Sequence, residues 1–453
     1  MRPDLFPPTD SELIGGPLGR HANPVGRWRR IVAQLTALVW IPMIVAVLQR
    51  EYCVRNGWYG ADQFWRECFS DLPAQYALGH LDTGLPGWLN GSAVLDQPVV
   101  AGAVMSAVGG LVPDGASALD QSRWYFLAWV VLITLLLAAT VWCTAHLVPG
   151  DLQAAAQVAL SPVIVLAAVL SADALVVALV AAAMLAWKRE RHTVCGLVLG
   201  VATMTRSYAA LVALALLLAA ARSDVFAAAK RVAMTALASV LAIAMAAIAV
   251  RPQILTGAYR AWWESKASYG SPWLLPTLLA CDVPACNAKD VSSAWLRWLS
   301  QLQKVELPVW SVTSLAVCGV VLAVIMGWIF TRESFRAPTW AQVAFVVVAM
   351  AMMTGKAVPV QASLWLLPLA AAAGVRWRDH LIWAGTEMTH FIAIWLYIGM
   401  QTRPDRALPG PWYALFLVIR LAGITWLVSR VWRAGQFPPA LEQDRRESAE
   451  VAR

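Results

Sequence analysis

Charge is what this chain is short of: only 14% of its 453 residues are Asp, Glu, Lys or Arg, against 59% hydrophobic. A soluble domain of that balance lacks the polar surface to cover itself, so the repeated long apolar runs mean a polytopic membrane protein. No stretch reads as a separate soluble domain, and there is no short internal repeat. The net charge of +8 would suggest nucleic acid in a soluble chain. Here most of it sits in short clusters between apolar runs, such as Lys188-Arg189-Glu190-Arg191 and Arg376-Trp377-Arg378. The positive-inside rule accounts for them, and no nucleic-acid partner is expected. A cleavable signal peptide is missing too: residues 1–26 carry no apolar core and read as a disordered cytoplasmic tail. The run starting near Ile31, behind Arg27, Arg29 and Arg30, is expected to serve as signal and anchor.

What is present predicts an all-α fold with about twelve membrane crossings. Residues 31–433 form the transmembrane domain, flanked by cytoplasmic tails 1–30 and 434–453. The apolar segments run over 31–48, 124–147, 152–170, 174–187, 233–250, 309–330, 340–353, 362–374, 380–399 and 412–433, with 193–221 as a broken pair. Arg206 interrupts that pair, and non-helical backbone at membrane depth is tolerated only where protein buries it or it lines a wet cavity. Residues 49–122 make a long first external loop and 251–306 a second. Within the first, Pro98 to Val112 is apolar but short for a span, and is expected as a re-entrant or interfacial helix. Several of the 24 tryptophans, namely Trp58, Trp88, Trp124, Trp273, Trp310 and Trp412, flank apolar segments as an interfacial belt would.

Of seven cysteines, Cys143, Cys195 and Cys318 fall in membrane segments as packing residues. Cys53 with Cys68, and Cys281 with Cys286, fall in external loops, where an oxidising environment favours a disulfide within each loop. The Cys-x4-Cys spacing of the second pair also admits a metal, but no His or further Cys stands near enough to complete a tetrahedral set, and no metal is expected.

Charges kept within or beside membrane segments are costly and mark sites. The set is Asp71, Asp96, Asp173, Arg206, Arg260, Lys356 and Glu387. All but Arg206 and Glu387 are predicted at the external interface. Arg206 can reach the same cavity from the broken pair, while Glu387 lies mid-span, where a structural partner such as Arg420 competes with a catalytic role. Carboxylates and fixed cations at one face suit a reaction in which a carboxylate deprotonates a hydroxyl while Arg and Lys hold a phosphate leaving group. A transporter needs such charges as well. Asp71 and Asp96 also stand where helix caps are expected, Asp173 sits at a hairpin tip, and His80 is a lone histidine with a minor claim on substrate.

Cys68-Phe69-Ser70-Asp71-Leu72-Pro73 resembles the Cys-Tyr-Ser-Asp-Ile-Pro loop of actinobacterial GT-C glycosyltransferases near glycosyltransferase family 87, the polyprenyl-phosphate-mannose-dependent mannosyltransferases. Four further stretches follow in the same order. Asp96-Gln97-Pro98-Val99-Val100 is similar to their Glu-Tyr-Pro-Val element, and Ser171-Ala172-Asp173 stands at their Asn-Trp-Asp. The run ending Arg206-Ser207-Tyr208 stands at a Gly-rich run ending Lys-Leu-Tyr-Pro. Thr354-Gly355-Lys356 with Gln361 and Leu364-Trp365-Leu366-Leu367-Pro368 stands at an Asn-Lys-Val-Tyr-Ser-Pro-Gln-Tyr-Leu-Trp-Leu-Leu-Pro run.

The resemblance implies inverting, metal-independent transfer of a hexose, with mannose expected, from a polyprenyl-phosphate donor to a lipid-linked glycan or glycolipid outside the cytoplasm, at the plasma membrane. Asp71 would be the base. Lys356, Arg206, Arg260, Tyr208 and Gln361 would bind the donor and its phosphate, with Asp96, Asp173 and His80 as secondary candidates. A lipid-linked sugar transporter, or a silent relative acting as an assembly partner, is the alternative.

Overall fold

The computed structural model describes residues 28–148, 152–279, 305–402 and 408–436. Among the described residues the regular elements are all helical. Seven helices are long and apolar enough to cross a bilayer, as in a membrane protein: Trp28–Gln49, Ala118–Leu147, Leu152–Leu170, Phe226–Val250, Val309–Glu333, Trp377–Gln401 and Gly410–Gln436. Six shorter apolar helices accompany them: Val99–Gly109, Ala174–Lys188, His192–Thr203, Tyr208–Ala220, Trp340–Met353 and Val360–Ala372. At 1.5 Å per residue a helix of 10–15 residues covers about 15–22 Å of a roughly 30 Å core. Among the described residues, then, seven helices have the length of a full crossing, and the other expected crossings correspond to shorter apolar helices.

Two of those breaks matter. His192–Thr203 and Tyr208–Ala220 are separated by Met204 to Ser207, the interruption expected around Arg206. Trp340–Met353 gives way to an irregular stretch and a 3-10 turn at Val360–Ala362 before Ser363–Ala372. Pro359 fixes the extended residue (φ −70°, ψ 167°) that opens that turn. Both breaks expose backbone groups, which other segments satisfy. Met204 O accepts from Val100 N at 3.0 Å, so the first turn of the short Val99–Gly109 helix seals the first break. At the second, Ser268 N donates to Lys356 O (2.9 Å), Ser271 Oγ to Gly355 O (2.8 Å) and Trp273 Nε1 to Thr354 O (2.8 Å).

The first break is held at its height by close helix packing. Gly196 and Gly200 form a Gly-x3-Gly stripe against Phe226–Val250, where a Cβ on either would collide with Thr235 or Ser239. Small residues let helix backbones approach closely, which is the main source of helix association in lipid. Gly200→Leu is expected to push the two helices apart and lower the melting temperature in detergent, while Gly385, a helical glycine with nothing within 4 Å of a Cβ, tolerates Ala.

The tryptophan belt is only partly realised. Trp124 and Trp310 are exposed at 55% and 73% and Trp412 at 37%. Trp88 is instead buried, packed on Gly102 of the Val99–Gly109 helix, because that face of the first loop folds onto itself. Trp58 packs on Phe126, and Trp273 serves the second break. Cys143 and Cys195 are buried, whereas Cys318 is exposed on the Val309–Glu333 helix.

Candidate active site

The site is built where the first loop meets the two breaks. Cys53 and Cys68 are joined by a disulfide across a separation of 15 residues, which ties the Glu51–Asn56 helix to the strip preceding Asp71. Ser70 then anchors that strip, its Oγ donating to Val169 O at 2.7 Å. The same Oγ accepts from Leu72 N at 3.3 Å, making Ser70 the N-cap of the Asp71–Leu78 helix. Capping is thus Ser70's task, and the Asp71 carboxylate one residue on is left for other contacts. Loss of the disulfide is expected to cost about 3 kcal/mol for a loop of this length. Cys53→Ser should therefore lower both the melting temperature and the activity, and a reductant should lower the wild type to the level of the variant.

Asp71 is partly buried and faces Gln361, whose side chain hydrogen-bonds its carboxyl. Arg206 and Asp173 also act on it electrostatically. Burial pushes the Asp71 carboxyl up to about 6, with Arg206 pulling it down and Asp173 pushing it up, and with the Gln361 bond also lowering it. Gln361 is delivered by the 3-10 turn after the second break and is itself buried.

Asp173 opens the Ala174–Lys188 helix without capping it. It is 1% exposed and accepts two bonds, from Arg206 Nε at 2.6 Å and from Trp365 Nε1 at 3.0 Å. Arg206 Nη1 donates to Gln97 Oε1 at 2.8 Å, and Gln97 Nε2 reaches Gln75 Oε1 at 3.2 Å. Five separate stretches of chain therefore meet around Asp71.

Tyr208 lies one layer further. Its ring stacks on Trp365 at 4.5 Å with the planes 9° apart, and its buried hydroxyl has no hydrogen-bond partner. Tyr208 and Trp365 form one end of a cavity of about 390 Å³ whose other walls include Leu211, Val320, Val348 and Lys356. Lys356 is 1% exposed. Its Nζ donates to Thr313 Oγ1 (2.8 Å) and Trp263 O (2.9 Å) and lies 5.0 Å from the Trp262 ring centre. Among the described residues no carboxylate stands within ion-pair distance of it.

Of the predicted residues, then, Asp71, Asp173, Arg206 and Gln361 come together, with Tyr208 and Lys356 on the adjoining cavity. Three do not join them. Arg260 is exposed on the Pro252–Glu264 helix, six positions beyond buried Ile254 and so on a different face of a helix with 3.6 residues per turn. Asp96 is exposed and lies 3.6 Å from where a Cβ on Gly257 would stand. His80 is exposed in a left-handed turn (φ 52°), where its carbonyl binds Thr83. Gln97, Gln75 and Trp365 were not predicted. The neighbour of Asp96, not Asp96 itself, reaches the site. Glu387 binds Arg420 at 3.0 Å, both fully buried, so the structural reading of Glu387 holds. Cys281 and Cys286 lie outside the described residues. Among the described residues no three His, Cys, Asp or Glu side chains group as metal ligands.

No curated protein matches the chain. A family model does match, over residues 100–279, a stretch that contains Asp173, Arg206 and Tyr208 while Asp71, Gln361 and Lys356 lie to either side of it. That model is glycosyltransferase family 87, which this stretch of the chain resembles, and the resemblance supports glycosyltransferase activity in general.

Proposed function

We propose that the chain transfers a hexose, with mannose as the expected sugar, from a polyprenyl-phosphate donor to a lipid-linked glycan or glycolipid, with inversion, on the external side of the plasma membrane. The observation that carries this reading is the Asp71 carboxylate beside Arg206 and Gln361, one Tyr208–Trp365 stack away from an apolar cavity that ends at Lys356. A prenyl chain suits walls of Leu, Val and Met, and an ammonium with no carboxylate partner suits the phosphate that joins the chain to the sugar. Asp71 takes the proton of the acceptor hydroxyl as that oxygen attacks the anomeric carbon. The bond to phosphate breaks on the opposite face, and the leaving polyprenyl phosphate keeps the electron pair. Lys356 stabilises the charge that develops there. Arg206, already neutralised by Asp173, orients the carboxylates more than it binds phosphate.

Three measurements test the reading. A base works deprotonated, so kcat/KM should fall tenfold per pH unit below about 6 and level off above it. A profile flat from pH 5 to 8 counts against Asp71. Lys356→Met is expected to raise the KM for polyprenyl-phosphate mannose by about 10–100-fold, the worth of a charge-assisted contact of roughly 1.5–3 kcal/mol. An unchanged KM removes Lys356 from the donor site. Radiolabelled donor in proteoliposomes separates transfer, which yields a new glycolipid, from transbilayer movement without product.

A further inference from the structure

Asp71 and Asp173 compete for one cation. Arg206 is the only positively charged group acting on Asp71 among the described residues, and its side chain is 21% exposed. Yet its ion pair is with Asp173, at 2.6 Å, and not with Asp71. Two further contacts hold it there. Trp365 Nε1 fixes the second oxygen of Asp173 at 3.0 Å, and Gln97 Oε1 takes Arg206 Nη1 at 2.8 Å. Gln97 is fixed in turn by Gln75, one helical turn beyond Asp71 on the same helix. The remaining groups around Asp71 carry no opposing charge. Gln361 is neutral, the Ala118–Leu147 helix presents Tyr125 against Tyr76 at 4.7 Å, and Asp82 on the Leu81–Thr83 turn is exposed.

We propose that Asp173 is a positioning residue: clamped by Trp365, it sequesters Arg206 and so prevents an Arg206–Asp71 ion pair that would disable the base. A carboxylate locked to a guanidinium is a poor proton acceptor, because its charge is already satisfied and its lone pairs are directed at the cation. Held by Asp173, Arg206 stays close enough to keep Asp71 ionised near neutral pH but not close enough to bind it. The inference rests on Asp71 as the base, and it adds a reason for the second carboxylate, which is almost fully buried and does not line the Tyr208–Lys356 cavity.

The test reads the ionisation of Asp71 directly. Dicyclohexylcarbodiimide reacts with protonated carboxyls, so its labelling of Asp71, followed by peptide mass spectrometry across pH 4.5–8 on the purified full-length protein, gives a half-point without turnover. In the wild type it should lie near 6. Asp173→Asn should release Arg206 to Asp71 and lower the half-point by about 1–3 pH units. Arg206→Gln should raise it by a similar amount. In the double variant, with neither charge present, it should return towards the wild-type value. A half-point unmoved, or moved the other way, in either folded single variant overturns the proposal. If Asp173→Asn does not fold, Trp365→Phe decides it: this variant unclamps Asp173 and leaves every charge in place, so the half-point should fall, and an unmoved one overturns the proposal. Failure of the base assignment looks different: Asp71→Asn would then still transfer sugar, whatever the labelling curves do.

Discussion

Asp71→Asn is expected to reduce sugar transfer by about 10²–10⁴-fold, the usual contribution of a positioned general base, while the protein remains folded and the donor still binds. Asn is nearly isosteric with Asp, can still accept a bond from Gln361, and removes a buried charge instead of creating one. The helix is not put at risk, because Ser70 and not Asp71 supplies its cap. The measurement is transfer from radiolabelled polyprenyl-phosphate mannose in membranes containing equal amounts of wild type and variant, with donor binding measured separately. Wild-type transfer by a folded Asp71→Asn protein would falsify the base assignment. Reduced transfer together with lost donor binding would instead indicate a role in holding substrate.

The second large effect is on stability. Arg420→Met should destabilise the protein by about 3–5 kcal/mol, because it leaves the Glu387 carboxylate buried between the last two described helices without its cation. Trp383 Nε1, at 3.1 Å from Glu387 Oε1, remains as a neutral donor and cannot replace a guanidinium. Arg420 also donates to Pro359 O at 3.2 Å, at the residue that opens the turn carrying Gln361. Its loss is therefore expected to lower activity as well as the melting temperature in detergent. The double change Glu387→Gln with Arg420→Met removes both charges and should recover much of the stability. If it melts no higher than Arg420→Met alone, the pair is not what holds these helices.

Much of this arrangement was legible from local pattern. The broken pair around Arg206 could be read because a charge in an apolar run needs either a break or a partner, and it has both. The bounds of the long helices follow from hydropathy and from basic clusters, and Cys53 with Cys68 from their shared loop. Other features were not legible, for reasons that are physical. Charge drew attention to Asp96, but the neutral amide of Gln97 makes the contact, and an uncharged side chain is not singled out by a search for charges. Arg260 was grouped with the site by its place in the chain, whereas the face of its helix depends on what Ile254 packs against. Trp365 stood in the resemblance only as part of an apolar stretch, and its bond to Asp173 spans 192 residues of sequence. Hydropathy located the apolar helices, but the seven that are long enough to span and the shorter ones that end at breaks look alike when read one at a time.

The Asp173–Arg206 pair also bears on how such a chain reaches its membrane. Its partners are 33 residues apart, on consecutive apolar segments, whereas Gln361 follows Arg206 by 155 positions (361 − 206). At about 5–20 residues per second of synthesis, Arg206 leaves the ribosome roughly 8–30 s before Gln361 exists. During that interval the guanidinium would be an isolated charge in hydrocarbon, had Asp173 not been made first. The order of the two residues along the chain lets the N-terminal half insert with its cation already neutralised, and leaves only the uncharged Gln361 and Trp365 to be added when the second half arrives.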